Sequence, residues 1–222
     1  MPSLKDKVAL VTGAGAGIGR ATALAMAGEG AAVAAADIDP AAAQKAVEAM
    51  AGKTNRALAI EADCGDVASI DAMIAKTVAA FGRLDIIVNN AGVTRFAHVM
   101  DLTEADWDRI HRVNAKGVFF CLQSAARQMI AQKSGGRIIS IASIAGRGYT
   151  NASNVAYAAS KGAVISMTKL AAHQLGAHDI NVNAICPGVT RTELGARNAV
   201  GRAAARGVSV EELYAEQEAT IP

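Results

Sequence analysis

Short apolar runs alternate along the chain with longer helical stretches, many of them rich in alanine. The apolar runs lie near residues 8, 32, 56, 85, 137 and 181. Continuous apolar runs of this length are typical of parallel strands that are buried on both faces. The alternation therefore predicts an α/β fold, a doubly wound parallel sheet with helices on both faces. With 222 residues, we expect residues 1–222 to form a single domain with one large core.

The first apolar run leads into a glycine-rich loop. Val8-Ala9-Leu10-Val11 precedes Thr12-Gly13-Ala14-Gly15-Ala16-Gly17-Ile18-Gly19, and a helical stretch follows from Arg20 to Glu29. The spacing is Gly-x-x-x-Gly-x-Gly, because Ile18 stands where Gly-x-Gly-x-x-Gly would need a glycine. A strand that turns through glycines into a helix presents backbone N–H groups and a positive dipole end to an anion. A flexible turn is the alternative, but the flanking strand and helix favour phosphate binding.

The second apolar run ends in Asp37, about 20 residues beyond the glycine loop. A carboxylate there can accept hydrogen bonds from the adenosine ribose hydroxyls of NAD and repels the 2′-phosphate of NADP. Asp39, with Pro40 at the first helical position, already fits the cap of the next helix. We therefore expect Asp37 to be available for a ligand.

Tyr157 and Lys161 stand four residues apart, a spacing that puts two side chains on one helix face. A free phenol titrates near pH ~10, and a nearby positive charge favours phenolate, which suits acid–base chemistry at neutral pH. Considered alone, the pair also fits a surface helix whose lysine extends into solvent. The other motifs decide between these interpretations.

The chain resembles the short-chain dehydrogenase/reductase family over nearly all of residues 4 to 192. The family's glycine-rich loop is matched by Thr12 to Gly19, and its Asn-Asn-Ala-Gly element by Asn89 to Gly92 after the apolar run Asp85 to Val88. Its segment that meets the nicotinamide is matched by Pro187-Gly188 and Thr192. Its catalytic tetrad is matched by Asn114, Ser143, Tyr157 and Lys161.

The resemblance implies hydride transfer between a nicotinamide cofactor and a secondary alcohol or ketone, with Tyr157 as general acid or base. Ser143 would hydrogen-bond the substrate oxygen, and Lys161 would lower the pKa of Tyr157 and hold the nicotinamide ribose. Asn114, within the helical stretch Glu104 to Gln132, would bend that helix and hold a water that relays protons. The family's sheet has strand order 3-2-1-4-5-6 followed by a seventh strand. The implied NAD-binding residues are Gly13, Gly17, Ile18, Gly19, Asp37, Asp63, Cys64, Asn90, Ala91, Gly92, Tyr157, Lys161, Pro187, Gly188, Val189 and Thr192.

Two features of the sequence depart from the family pattern. Ala16 stands where NADP-preferring relatives often carry arginine, which favours NAD. The sequence stops at Pro222, while family members usually continue with another helix and the seventh strand. Without that strand, Asn181 to Ile185 would form an exposed sheet edge. We therefore expect either a natural chain that extends past Pro222 or an unusual variant.

The composition of the chain limits the classes of partner that the protein is expected to bind. A net charge of +2 without a basic tract, and an aromatic content of 4%, argue against a nucleic-acid partner. The sequence has no apolar span of 18 residues and no signal-peptide pattern, so we expect a cytoplasmic protein with no membrane partner. Three scattered cysteines are typical of reduced packing residues, and four histidines without a ligand cluster predict no metal. The family resemblance further implies a homo-oligomer, a tetramer or a dimer.

Substrate identity depends on three segments: Thr94 to Asp101, Ile144 to Asn154 and Val189 to Gln217. The last contains Arg191, Arg197, Arg202 and Arg206, and we predict a mobile substrate lid at 189–217. Arginines near a cleft could meet an anionic substrate, whereas charged loops are more often simply solvated. Two alternative functions are an NADP-dependent 3-oxoacyl-[acyl-carrier-protein] reductase and a non-catalytic dinucleotide-sensing module.

Overall fold

A computed structural model describes residues 3–54, 56–149 and 153–219. Within these residues, six parallel strands form one sheet in the order β3-β2-β1-β4-β5-β6. The strands are β1 (Val8–Thr12), β2 (Ala32–Asp37), β3 (Ala57–Glu61), β4 (Ile86–Asn89), β5 (Gly136–Ile141) and β6 (Ile180–Ile185). The helices are α1 (Gly17–Gly28), α2 (Pro40–Glu48), α3 (Val67–Phe81), α4 (Glu104–His111), α5 (Val118–Gln132), α6 (Val155–Leu175), α7 (Glu193–Arg206) and α8 (Val210–Ala219). The doubly wound sheet predicted from the sequence is confirmed.

The helices cover both faces of the sheet. On one face, Leu10, Ile87 and Ile138 pack in a buried cluster with Met73 of α3 and Met129 of α5. On the other face, strand valines pack against alanines of α1 and α2: Ala23, Ala27 and Ala46. Small side chains let these helices lie close to the sheet, which accounts for the high alanine content. As expected, Asp39 caps α2, since its carboxylate accepts hydrogen bonds from the N–H groups of Ala41 and Ala42.

The predicted single helix from Glu104 to Gln132 is interrupted. Between α4 and α5 the chain forms a π-helical turn, Arg112–Gly117, and such turns are frequent at functional sites. Gly117 permits this turn to approach the loop after β3, because a Cβ there would collide with the main-chain oxygen of Cys64. The turn directs Asn114 into the interior, where it is fully buried.

The segment predicted to be a lid at 189–217 consists largely of two helices, α7 and α8. Thr192 caps α7 by accepting a hydrogen bond from the N–H of Gly195 at 3.1 Å. Ala199 and Ala203 of α7 pack with Leu213 of α8 in a small buried cluster. The structure therefore shows this segment largely as a helical pair, and its role as a mobile lid stays a prediction. Residues 150–152 and 220–222, which belong to the second specificity segment and to the chain end, lie outside the described residues.

No helix in the described part of the chain is long and apolar enough to cross a membrane. Over the same residues, no group of three or more histidine, cysteine, aspartate or glutamate side chains is arranged to hold a metal ion. β6 lies at one edge of the sheet, and its last residue, Ile185, is half exposed.

Candidate active site

A cavity of about 710 Å³ opens at the carboxyl ends of the strands, the edge at which open α/β sheets bind ligands. Its walls come from the loops after β4, β5 and β6, from α6 and from α7 and α8. The sequence-predicted residues that it brings together are Ile18, Asn90, Gly92, Ser143, Tyr157, Lys161, Pro187, Gly188, Val189 and Thr192. The other predicted residues (Gly13, Gly17, Gly19, Asp37, Asp63, Cys64, Ala91 and Asn114) are not among those that line it.

Ser143 lies just beyond the end of β5, at the start of a short 3-10 turn, Ile144–Arg147. Its Oγ accepts a hydrogen bond from the N–H of Ala145 at 3.1 Å, which fixes the side chain and leaves its own proton for another acceptor. Burial raises the pKa of Tyr157, and the hydrogen-bonding influence of Ser143 offsets part of that rise. The two hydroxyl groups therefore act on each other within one cavity.

Lys161 lies one helical turn after Tyr157 and is 3% exposed. Its Nζ donates a hydrogen bond to the main-chain oxygen of Ile141 at 2.7 Å and lies 5.6 Å from the centroid of the Tyr157 ring. Burial lowers the pKa of Lys161 to about 8. Burial raises the pKa of Tyr157 overall, and the expectation that the Lys161 charge works against that rise stays a prediction.

Sequence reasoning included Asn154 only as the end of a specificity segment and missed its role as a helix cap in the site. It caps α6, since its Oδ1 accepts a hydrogen bond from the N–H of Tyr157 at 2.8 Å. Its Nδ2 donates to the main-chain oxygen of Arg95 at 2.7 Å, which ties the cap to the loop after β4. An asparagine three residues before Tyr157 is a recognisable N-cap pattern, and that signal could have found it.

Asn114 fastens the loop after β4 to the π-helical turn. Its Oδ1 accepts from the N–H of Val93 at 2.8 Å, and its Nδ2 donates to the Val93 oxygen at 2.9 Å. A longer bond of 3.3 Å reaches the hydroxyl of Ser160 on α6. The side chain thus holds protein elements together at the π-helical turn, and its role in bending the helix stays a prediction.

The glycine loop has the shape that a dinucleotide phosphate requires. Gly17 has a φ of 53°, and a Cβ on Gly19 would collide with the main-chain oxygen of Gly13. Within the described residues, the N-cap residue Ala16 gives the first turn of α1 no side-chain hydrogen bond. Such a helix start, with N–H groups that lack a cap, fits an anion. The residues present therefore fit a dinucleotide.

Thr12 joins this loop to the Asn-Asn-Ala-Gly element. Its hydroxyl oxygen accepts from the N–H groups of Asn90 and Ala91, each at 3.0 Å. In return, the Nδ2 of Asn90 donates to the main-chain oxygens of Thr12 and Gly13 at 2.9 and 3.0 Å. Asn90 thus shapes the glycine loop as well as the cavity wall.

Asp37 stands at the end of β2, beside the glycine loop. Its carboxylate accepts from the N–H of Gly15 at 2.8 Å and from that of Asp39 at 3.1 Å. Each carboxylate oxygen therefore already accepts one main-chain hydrogen bond, and the availability of Asp37 for a ligand stays a prediction. Each carboxylate oxygen can accept more than one hydrogen bond, so ribose hydroxyls remain compatible with this arrangement.

Asp63 and Cys64 follow β3. Burial works to raise the pKa of Asp63, but hydrogen bonds from the Gly65 N–H and the Arg112 guanidinium lower it overall. The distance from Arg112 Nη1 to the Asp63 carboxylate is 2.9 Å. Cys64 is buried with Cys121 in the core, and both are free thiols. Contacts of Asp63 and Cys64 with the adenine stay a prediction.

Comparison with known proteins agrees with this geometry. A family model described as short chain dehydrogenase matches residues 7–202. The chain is 41% identical over 191 residues to (2S)-[(R)-hydroxy(phenyl)methyl]succinyl-CoA dehydrogenase subunit BbsD of Thauera aromatica, over 86% of this chain and 76% of the relative. It is 39% identical over 192 residues to 2-dehydro-3-deoxy-D-gluconate 5-dehydrogenase of Dickeya dadantii, over 86% and 74% of the two chains. A crystal structure of NAD+-bound xylitol dehydrogenase superposes with a TM-score of 0.79 at 40% identity, over 84% of this chain and 71% of that one. The chain therefore belongs to the short-chain dehydrogenase family of oxidoreductases.

Proposed function

We propose that the protein is an NAD-dependent oxidoreductase that transfers hydride between the cofactor and a secondary alcohol or ketone, with Tyr157 as general acid or base. The observation that carries the proposal is the placement of Ser143, Tyr157 and the buried Lys161 at one cavity. The glycine loop at one end of this cavity fits a dinucleotide phosphate.

A nicotinamide cofactor supplies the hydride donor or acceptor when it is bound. The protein's own side chains transfer the proton. In ketone reduction, Tyr157 donates its phenolic proton to the substrate oxygen, and in alcohol oxidation it accepts that proton. Ser143 donates a hydrogen bond to the same oxygen. The raised pKa of Tyr157 keeps the phenol protonated at neutral pH, which suits the reductive direction.

Asn114 and Asn154 act through other groups in this proposal. Asn114 holds the loop after β4 against the π-helical turn through its bonds to Val93. Asn154 fixes the first turn of α6, from which Tyr157 projects. Asn114 Oδ1 accepts one hydrogen bond, from the Val93 N–H, and an amide oxygen can accept two, which leaves one acceptor position for the water of the proposed relay.

Preference for NAD over NADP rests on Asp37 and Ala16. A 2′-phosphate at the ribose would meet the Asp37 carboxylate, and a desolvated contact of like charges costs several kcal/mol. The same residue speaks against the NADP-dependent 3-oxoacyl-[acyl-carrier-protein] reductase. The cavity with its two hydroxyl groups speaks against a non-catalytic sensing module, which needs no acid or base. A homo-oligomeric assembly and a cytoplasmic location stay predictions.

The test is a steady-state assay of NADH and NADPH oxidation against a panel of ketones, with NAD+ and NADP+ reduction by the matching alcohols. We expect turnover with at least one ketone and a higher kcat/KM with NADH. Tyr157→Phe protein serves as the control, because it keeps the ring and loses the hydroxyl. Turnover that persists in that control would refute the mechanism, and equal rates with NADPH would refute the cofactor preference.

A further inference from the structure

The loops after β1, β2 and β3 lie side by side at one edge of the sheet, because the strand order there is β3-β2-β1. The glycine loop follows β1, and Asp37 ends β2. Asp37 is in register with Glu61 of β3, and Asp63 lies two residues beyond Glu61. A dinucleotide with its diphosphate at the glycine loop and its ribose at Asp37 therefore directs its base toward Asp63.

The main chain at Asp63 is fixed, and so is the carboxylate. The N–H of Asp63 donates to Ser69 Oγ on α3 at 2.9 Å. One carboxylate oxygen, Oδ1, accepts from the N–H of Gly65 at 2.7 Å, and the other, Oδ2, accepts from Arg112 Nη1 at 2.9 Å. The Asp63 side chain is still 30% exposed, and each oxygen can accept another hydrogen bond. The carboxylate is therefore held in one orientation and remains within reach of a ligand.

Arg112 reaches Asp63 across Gly65. A Cβ on Gly65 would lie 2.6 Å from the Cζ and Nη1 atoms of Arg112, so a larger residue at this position would displace the guanidinium. Arg112 begins the π-helical turn, and Gly117, at its end, closely approaches the Cys64 oxygen. The turn therefore contacts the loop after β3 at both of its ends, and Arg112 is the contact that acts on the carboxylate.

The charge of Asp63 decides which base it can bind. Burial works to raise its pKa, but the hydrogen bonds from Gly65 and Arg112 lower the pKa overall, so the group is an ionised carboxylate at neutral pH. Such a carboxylate can only accept hydrogen bonds. Adenine presents a donor at position 6, its amino group, whereas a 6-oxo base such as hypoxanthine presents an acceptor there. A carboxylate held in a fixed orientation therefore favours adenine.

We infer that Arg112 is a positioning residue of the cofactor site, which fixes the Asp63 carboxylate so that the site selects adenine through its amino group. The inference rests on the nicotinamide dinucleotide of the function proposed above, and it adds a determinant of which base that dinucleotide contains. Arg112 contributes to the selectivity by acting on Asp63, and its guanidinium does not have to contact the cofactor.

The test titrates the protein with NADH and with reduced nicotinamide hypoxanthine dinucleotide, and nicotinamide fluorescence reports binding of both. The 2′-phosphorylated forms of the two compounds replace them if NADPH binds more tightly than NADH. We expect wild type to bind the adenine compound about tenfold or more tightly, the factor that corresponds to one hydrogen bond to a charged group. Arg112→Gln should lower this ratio about threefold or more, as expected for an exposed ion pair, and Arg112→Lys should retain part of it. Arg109→Gln is the matched control and should keep the wild-type ratio, because Arg109 is exposed on α4, three residues before Arg112.

Asp63→Asn separates positioning from a general structural role. This variant should lose the preference for adenine, and adding Arg112→Gln to it should change the ratio no further. If Arg112→Gln alone does not fold, Gly65→Ala takes its place, because the added Cβ displaces the guanidinium.

These titrations need no turnover, so the inference and the proposed function can fail separately. Base selectivity that depends on Arg112, in a protein that reduces no ketone, would support the inference while the oxidoreductase function fails. Three results would each overturn the inference: a wild type that binds both dinucleotides equally or binds neither, an Arg112→Gln protein that weakens both equally, and an effect of Arg112→Gln on the ratio that persists in Asp63→Asn.

Discussion

Lys161 donates a hydrogen bond from its buried Nζ to the main-chain oxygen of Ile141 at 2.7 Å. The residue is 3% exposed, and burial lowers its pKa from the ordinary value of 10.5 to about 8. Lys161 therefore loses its proton at a lower pH in the folded protein than in the unfolded chain. A buried cation of this kind is a sign of a group retained for function at the expense of stability.

The first prediction concerns the pH dependence of stability. Between pH 8 and 10.5 the unfolded chain binds more protons at this lysine than the folded protein, so stability rises with pH across that window. The full destabilisation below the window is on the order of 3 kcal/mol. Lys161→Met removes this destabilisation. It also removes the hydrogen bond to the Ile141 oxygen, which contributes about 1 kcal/mol of stability. Denaturant unfolding should show a variant that is more stable at neutral pH and lacks the rise. The same pH dependence in both proteins would contradict a lysine pKa lowered to about 8.

The second prediction concerns Tyr157. Tyr157→Phe keeps the ring and loses the hydroxyl, so kcat should fall by about 10²-fold or more, the contribution expected of a general acid. Cofactor affinity should stay nearly unchanged, because the ring remains and only the acid–base hydroxyl is lost. Steady-state kinetics and fluorescence titration of the cofactor measure the two quantities separately. Retention of more than about a tenth of the wild-type kcat would remove Tyr157 from its proposed role.

Lys161→Ala offers the comparison for that result. It should weaken cofactor binding and turnover together, since the side chain is proposed to contact the ribose as well as to support the tyrosine. A variant that lost turnover alone would assign the ribose contact elsewhere.

The third prediction concerns Asp37 and the choice of cofactor. Asp37→Ser removes the negative charge and keeps a small acceptor near the N–H of Gly15, which the carboxylate now binds at 2.8 Å. The ratio of kcat/KM with NADPH to that with NADH should rise by about tenfold or more, since each factor of ten corresponds to about 1.4 kcal/mol of relieved repulsion. Asp37→Glu is the control, because it preserves the charge and should preserve the preference. An unchanged ratio in Asp37→Ser would show that the carboxylate does not select the cofactor.

The sequence predicted the sheet because most strands are local apolar runs, and Asn90 and Ser143 directly follow or lie just beyond the ends of β4 and β5. That logic placed Asn90 and Ser143 at one cavity, to which α6 contributes Tyr157. It failed where the outcome depends on packing between distant segments. Asn114 suggested only a local bend in a continuous helix, whereas the π-helical turn Arg112–Gly117 depends on the close approach of Gly117 to the Cys64 oxygen, which joins parts of the chain that are remote in sequence.

The pKa shifts of Tyr157 and Lys161 could not be predicted from the sequence for the same reason. The four-residue spacing of Tyr157 and Lys161 places the two side chains on one helix face, as expected. The net direction of the tyrosine pKa shift, however, depends on burial. Burial raises that pKa and lowers the lysine pKa. The spacing alone contains no information on how much water reaches either group.

The last prediction concerns Asn154, the residue that the motif comparison left out. Its Oδ1 caps α6 at the N–H of Tyr157, and its Nδ2 binds the main-chain oxygen of Arg95, 59 residues away in the chain. Asn154→Ala should cost about 1 kcal/mol of stability, as for other lost caps. It should also lower kcat by about tenfold or more, because small displacements of an acid–base group lower the reaction rate strongly. Cofactor affinity should change little.

Asn154→Asp separates the two functions of this side chain, because the carboxylate keeps the cap and cannot donate to Arg95. If the cap alone positions Tyr157, the aspartate variant should recover kcat and stability together. If the bond to Arg95 is needed, stability should recover while kcat stays low. Chemical denaturation and steady-state kinetics on the same preparations distinguish these results. An Asn154→Ala protein that loses stability but keeps the wild-type kcat would show that Asn154 is a structural cap without a positioning role.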